Sequence, residues 1–353
     1  MPLLILNIIS LFNMINAPLI NSSYNNVFFK QLLWIILSYI IFFIINKNKA
    51  NKIFKISNFI YLISIVLLIL VLFIGKDING AKCWLNIFGF SFQPSELAKL
   101  SLCLILINVI NKNKPKSIKE EFILVTKLAL ITLIPTILVF LEPDTGAIIN
   151  FFIIFLLIFC LSKLNKIWYI SFFCIICSLI AIFFVMYFCI QDTLINILGT
   201  SLFYRMDRLI NFANGSSYQL ETSLITIGAS SFFGCGFNKI LLYIPEAPTD
   251  FIFSFSIGNF GILSALLIII SYLILDIYLL KKAHIIKNKK YKLFICCYLG
   301  ILTFHQIYNI FMNIGLLPIM GIPLPFVSYG GTNTLMNYIF LAIIYNFSKE
   351  KNI

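Results

Sequence analysis

Long apolar runs separated by short polar gaps make up nearly the whole chain. A membrane-spanning helix needs about 20 apolar residues. The runs predict ten such spans, over 3–20, 28–46, 53–75, 95–111, 122–141, 145–163, 167–189, 250–280, 292–313 and 326–347. The eighth is long enough to tilt or to reach beyond the bilayer. The longest gap, about 190–250, lies between spans seven and eight. It is not low in complexity, and its glycines, serines, aromatics and charges read as an ordered functional loop. Neither an internal repeat nor a soluble domain stands out. The expected fold is all-α and polytopic, one membrane domain over residues 1–353.

Composition agrees. Hydrophobic residues are 61% of the chain and charged residues 11%, against roughly 25% charged in ordinary globular proteins. Lipid must therefore serve as part of the solvent. The net charge of +13 would suit nucleic acid if it were gathered in one patch, but it is spread over the gaps, so no nucleic-acid partner is expected. The second gap holds Lys47, Lys49, Lys52 and Lys55, and the fourth Lys112, Lys114, Lys116 and Lys119. The sixth holds Lys163 and Lys166, and the eighth Lys281, Lys282, Lys287, Lys289, Lys290 and Lys292. The odd gaps are sparse in lysine. Positive residues mark the cytoplasmic side, so the even gaps are expected inside, with both termini cytoplasmic. The run Pro2–Phe12 lacks a basic flank and a cleavage site, and reads as part of the first span. Seven of the nine cysteines fall in apolar runs. Only Cys83 and Cys235 sit in expected exterior loops, and nothing in the sequence pairs them.

Charges near the outer boundary carry the chemistry. In Phe92-Gln-Pro-Ser-Glu-Leu-Ala-Lys99 a loop enters the fourth span. Pro94 suits a helix start and Ser95 can cap the first amides. Glu96 and Lys99, three apart, share a helix face. They read either as a capping acid with a lysine snorkelling outward or as a buried pair lining a polar cavity. His305 reads as a packing histidine.

These segments resemble the SEDS family, the RodA, FtsW and SpoVE proteins. The resemblance rests on Gly80-Ala-Lys-Cys-Trp-Leu-Asn86 with Phe92–Lys99, on Glu142-Pro-Asp-Thr-Gly146 (QPDLG in the family) and on Tyr218–Gly228. Ile244-Pro-Glu-Ala-Pro-Thr-Asp-Phe-Ile-Phe253 and Met312–Gly331 complete it, all five in family order. The resemblance implies a peptidoglycan glycosyltransferase that polymerises lipid II on the outer face of the membrane and releases undecaprenyl diphosphate. It implies Asp250 as the general base, with a helix cap as its plain alternative. Glu246 is expected to support Asp250, and Lys99 and Arg208 to meet the diphosphate. Asp144 either lines the site or only forms its turn. In Ser328-Tyr-Gly-Gly331, Ser328, Gly330 and Gly331 allow close backbone approach to substrate or to a neighbouring loop.

A divalent cation, Mg or Mn, would help neutralise the diphosphate, although no metal-ligand spacing is present. The implied partners are lipid II, membrane lipids and a class B penicillin-binding protein. Met312-Asn-Ile-Gly315 and the short N-terminus look more like RodA, the elongation type, than FtsW. Departures from the family pattern are Glu142, Gly228-Ala-Ser-Ser231, Pro248 in place of the usual His, a shorter stretch between Arg208 and Tyr218, and Gly258 and Asn259 where a Glu pair is usual. Two rivals stand beside the enzyme: a lipid II flippase and a non-catalytic scaffold that activates a transpeptidase.

Overall fold

The computed structural model describes residues 1–47, 50–78, 81–87, 90–189 and 217–347. Its helices are α1 (Pro2–Asn16), α2 (Val27–Asn46), α3 (Ala50–Lys55), α4 (Ser57–Ile74), α5 (Pro94–Lys112), α6 (Ile118–Leu141), α7 (Thr145–Leu161) and α8 (Lys166–Cys189). They continue with α9 (Tyr218–Ala229), α10 (Ile252–Ile285), α11 (Lys289–Asn313) and α12 (Gly331–Phe347). Each expected span has a helix, and among the described residues seven are long and apolar enough to cross a membrane. The chain is a multi-pass membrane protein.

Burial follows the rule for a bundle in lipid, with polar side chains inside and apolar ones outside. On α2, Gln31 and Ser38 are buried while Ile36, Ile40 and Phe43 are exposed. The central helix is α5, which buries nearly its whole circumference. Its polar residues are met by neighbours: Ser101 pairs with Ser64 at 2.8 Å, and Asn108 donates to Ser57 at 2.7 Å. Such matching is required because no water reaches these groups in the bilayer core.

The third gap folds as a small antiparallel meander of β1 (Lys76–Ile78), β2 (Ala81–Ile87) and β3 (Phe90–Phe92). It leads directly into Pro94 and α5.

The eighth expected span is not one straight helix. Gly261 has φ 73° and ψ −173°, which breaks α10. Eight residues of straight helix would separate Ser256 from Ser264 by about 12 Å. Instead the Ser264 hydroxyl donates to the Ser256 carbonyl at 2.9 Å, so the arm 252–260 folds back against the arm 262–285. The backbone groups opened by this break are taken up by the loop after α9. Cys235 N donates to Gly258 O at 3.0 Å, Gly236 N to Asn259 O at 2.8 Å, and Leu263 N to Phe232 O at 3.3 Å. The first arm is buried throughout, from Ile252 to Asn259. From α1, Asn13 donates to Ser256 Oγ at 2.9 Å and accepts from Asn259 at 3.0 Å.

Candidate functional site

The turn 246–250 delivers Asp250 to the start of the folded-back arm. Its pivot is Glu246, which has φ 54°. The Glu246 carbonyl accepts from the backbone amides of Thr249, Asp250 and Phe251 at 3.2, 3.0 and 3.2 Å. Its carboxylate accepts from Thr249 Oγ1 at 3.1 Å and from Tyr24 Oη at 3.4 Å. Glu246 thus braces the turn that carries Asp250. Phe251 occupies the N-cap position of α10, so Asp250 stands one residue outside the helix. Asp250 is half-buried, and a methyl group at Gly321 would lie 3.5 Å from its Oδ2.

Ser328 and its neighbours lock that turn in place. Ser328 Oγ donates to Thr249 O at 2.6 Å and accepts from Leu324 N at 2.8 Å. Tyr329 N donates to Pro248 O at 2.8 Å. Gly330 N donates to Gln31 of α2 at 3.4 Å. A side chain at Gly331 would fall inside the Trp34 indole. Gly331 permits close approach of α12 to Trp34 of α2, a helix, whereas the sequence suggested substrate or a neighbouring loop. Residues 326–330, expected in the last span, belong to this turn instead: Phe326 has φ 64°, outside helical geometry.

Glu96 and Lys99 form an ion pair at 2.8 Å. They are 7% and 4% exposed, which decides between the two sequence readings: neither side chain snorkels. With Tyr298, His305, Pro325 and Asn337 they line a cavity of about 10 Å³. Glu96 Oε2 has no hydrogen-bond partner among the described residues. His305 adds to this polar cluster by bonding Asn150 through Nε2 at 2.7 Å. Expected as packing alone, it lines the same cavity as the ion pair.

Ser95 does not cap α5. The N-cap is Gln93, and both residues turn toward Asp144 instead. Gln93 Nε2 donates to Asp144 Oδ2 at 2.8 Å and Ser95 Oγ at 3.3 Å. Asp144 Oδ1 caps α7 by accepting from Ala147 N at 3.0 Å. Asp144 is therefore both a turn residue and the link between the entry to α5 and the α6–α7 turn. Its neighbour Gly146 approaches Met320 and Ile322, so the Asp144 turn and Asp250 flank the same stretch, 320–322.

Glu142, in that turn, is fully buried, and neither carboxyl oxygen has a partner among the described residues. Burial, then the nearby Asp144 charge, pushes its pKa from 4.5 to about 8. Both causes favour the neutral form of the Glu142 carboxyl.

The altered positions have local reasons. At Gly258 a Cβ would lie 2.8 Å from Thr226 Cγ2, so any side chain there requires Thr226 to shift. At Asn259 the amide is committed to Asn13. Arg208 lies outside the described residues. Among the described residues no group of three or more His, Cys, Asp or Glu is placed to hold a metal ion. Sequence reasoning missed Asn309 and Asn313, whose amides reach the Asp250 carbonyl at 2.8 and 3.1 Å. The available signal was two asparagines at i and i+4 on one face of an apolar helix, costly in lipid without partners.

The bundle and its enclosed polar cluster define a multi-pass helical membrane protein with a site built from helix ends and a long loop. The profile of the FtsW, RodA and SpoVE family, described as "Cell cycle protein", matches residues 1–353, and the chain belongs to that family. A Wigglesworthia glossinidia brevipalpis protein named "Probable peptidoglycan glycosyltransferase FtsW" is 33% identical over 321 residues, 89% of this chain and 82% of that protein. A protein of the same name from Buchnera aphidicola subsp. Schizaphis graminum is 32% identical over 343 residues, 93% of each chain. A chain from "Structural coordination of polymerization and crosslinking by a peptidoglycan synthase complex" superposes with TM-score 0.76 at 21% identity, covering 99% of this chain and 98% of that one. The Thermus thermophilus rod shape determining protein RodA gives TM-score 0.68 at 22% identity, covering 100% and 97%. At those identities the likeness carries the fold.

Proposed function

We propose that this chain is a peptidoglycan glycosyltransferase that polymerises lipid II. The observation that carries the reading is Asp250. It is a half-buried carboxylate beside Gly321, held by a turn tied to three other parts of the chain. A general base needs that kind of fixed carboxylate within reach of the attacking hydroxyl. In the reaction Asp250 takes the proton of the acceptor hydroxyl. The oxygen attacks the anomeric carbon of the growing strand, and undecaprenyl diphosphate leaves. Arg208 is the expected diphosphate contact, since a guanidinium suits bidentate phosphate recognition. Lys99 is paired and enclosed, and would reach a diphosphate only if the Glu96 pair opened. Mg or Mn remains an addition that the reaction would accept from solution.

The sequence leaned toward a RodA-like role, whereas the curated relatives bear the FtsW name. We therefore favour the division-type role. A class B penicillin-binding protein is the fitting partner, in line with a solved relative described as coordinating polymerization and crosslinking. The lysine-dense gaps support cytoplasmic termini and an outward-facing Asp250 end.

One observation favours the flippase reading: Glu96, Lys99, His305 and Asp276 put ionisable groups within the bundle, as a polar transport path requires. The deciding experiment is polymerisation of labelled lipid II by purified Asp250→Asn protein with its partner. Loss of a base costs about 10²–10⁴-fold. Wild-type glycan from this variant overturns the reading. Continued lipid II transport in vesicles, with no glycan from the wild type, favours the flippase.

A further inference from the structure

We infer that Asn309 and Asn313 are positioning residues for Asp250, and that the rate depends on them through the placement of that carboxylate. The inference rests on the proposed role of Asp250 as base.

In a regular helical turn the Asp250 carbonyl would accept from the amide of Ser254, four residues on. Here the carboxamide of Asn313 is inserted between them. Asn313 Nδ2 donates to Asp250 O at 3.1 Å, and Asn313 Oδ1 accepts from Ser254 N at 3.0 Å. Ser254 Oγ adds a second donation to the same Oδ1 at 2.9 Å. One side chain thus satisfies the Asp250 carbonyl and the Ser254 amide, one of the first four amides of α10, which have no intrahelical partner.

Asn309, one turn earlier on α11, spends both of its amide hydrogens on carbonyls: Asp250 O at 2.8 Å and Ile322 O at 2.8 Å. Ile322 follows Gly321, where an added Cβ would lie 3.5 Å from the Asp250 carboxylate. The two asparagines therefore fix both Asp250 and the surface it faces.

The partners also fix each amide's orientation. Asn309 faces two carbonyls and must present nitrogen, while Asn313 faces a backbone N–H and must present oxygen. Both asparagines are fully buried. A leucine of similar size at 313 would let Ser254 N close onto Asp250 O and draw Asp250 into the helix. Displacement of a reacting group by about 1 Å can cost on the order of 100-fold in rate.

The test measures glycan synthesis from lipid II by the purified protein with its partner, for Asn309→Leu and Asn313→Leu, each alone and combined with Asp250→Asn. The expected single-variant result is kcat down about 10- to 100-fold with KM for lipid II little changed. Combined with Asp250→Asn, neither should lower the residual rate further, because they act through the lost carboxylate. If either leucine variant fails to accumulate, Asn309→Ser or Asn313→Ser, which keep a hydroxyl donor, is read in the same cycle with a smaller loss expected. Wild-type kcat in the asparagine variants overturns the inference while Asp250→Asn stays inactive. An equal loss in the Asp250→Asn background also overturns it, since that marks general structural damage. Full activity of Asp250→Asn alone removes the base assignment and this inference with it.

Discussion

Glu142 and Asp144 share one turn but meet opposite surroundings. Asp144 accepts from Gln93, Ser95 and Ala147, while the Glu142 carboxyl is sealed off with neither oxygen bonded among the described residues. The turn therefore sets a well-bonded Asp144 side chain beside a Glu142 carboxyl whose burial favours its neutral form.

A stability profile against pH should show this. The folded Glu142 carboxyl titrates near 8, above its ordinary 4.5, so between those values the folded state binds more protons than the unfolded one. Stability is lost as pH rises through that interval and is flat above it. At about 1.4 kcal/mol per pH unit, the cost reaches up to about 5 kcal/mol. Glu142→Gln should remove that slope: melting in detergent at pH 5 and pH 8.5 should differ less for the variant. Parallel profiles for the two proteins would refute the neutral carboxyl.

The Glu96–Lys99 pair should respond asymmetrically to single and double replacement. Removing one partner leaves a buried charge unpaired, at about 3–5 kcal/mol. Glu96→Ala and Lys99→Ala should each lower membrane accumulation and melting temperature. Glu96→Leu with Lys99→Met removes both charges and should recover most of the stability, without recovering glycan synthesis. Equal damage in the single and double variants would show that the pair's electrostatics are not what matters.

At Gly261, alanine should be among the most damaging small substitutions. Its φ of 73° disfavours any side chain, and a Cβ would collide with the carbonyl of Phe232. Strain of this kind costs about 1–3 kcal/mol, with the collision added. The expected outcome is a lower melting temperature and weaker protection of the Cys235 and Gly236 amides in hydrogen exchange. Unchanged protection would mean that the fold-back does not depend on this glycine.

Orientation can be read by thiol labelling in a cysteine-free background. A cysteine at Lys239 should react with an impermeant reagent on intact cells, and one at Lys287 should not. Both positions are exposed in the structure. The reverse pattern would put Asp250 in the cytoplasm and end the lipid II reading.

The apolar runs made most of the bundle legible. The expected spans 28–46, 95–111 and 292–313 lie within one to three residues of Val27–Asn46, Pro94–Lys112 and Lys289–Asn313. Lysine-dense gaps and lipid length leave little freedom there. The fold-back at Gly261 was hidden, because Ile252–Ile285 reads as one apolar run and a single glycine in such a run is ambiguous. Glu96 and Lys99 stood out as charges at a membrane boundary, and Asp250 through the family resemblance. Asn309 and Asn313 did not, because an uncharged amide in an apolar helix announces no partner. Their use became visible only in their hydrogen bonds to the helix start across from them.

That clamp also sets a timetable for synthesis. The groups that hold the Asp250 carbonyl lie 59 and 63 residues further along the chain. At about 5–20 residues per second, a nascent chain carries the aspartate for several seconds before its clamp has been translated. Until α11 enters the membrane, Asp250 O and Ser254 N lack the Asn313 amide that bridges them. A chain released before residue 309 therefore carries Asp250 without either asparagine.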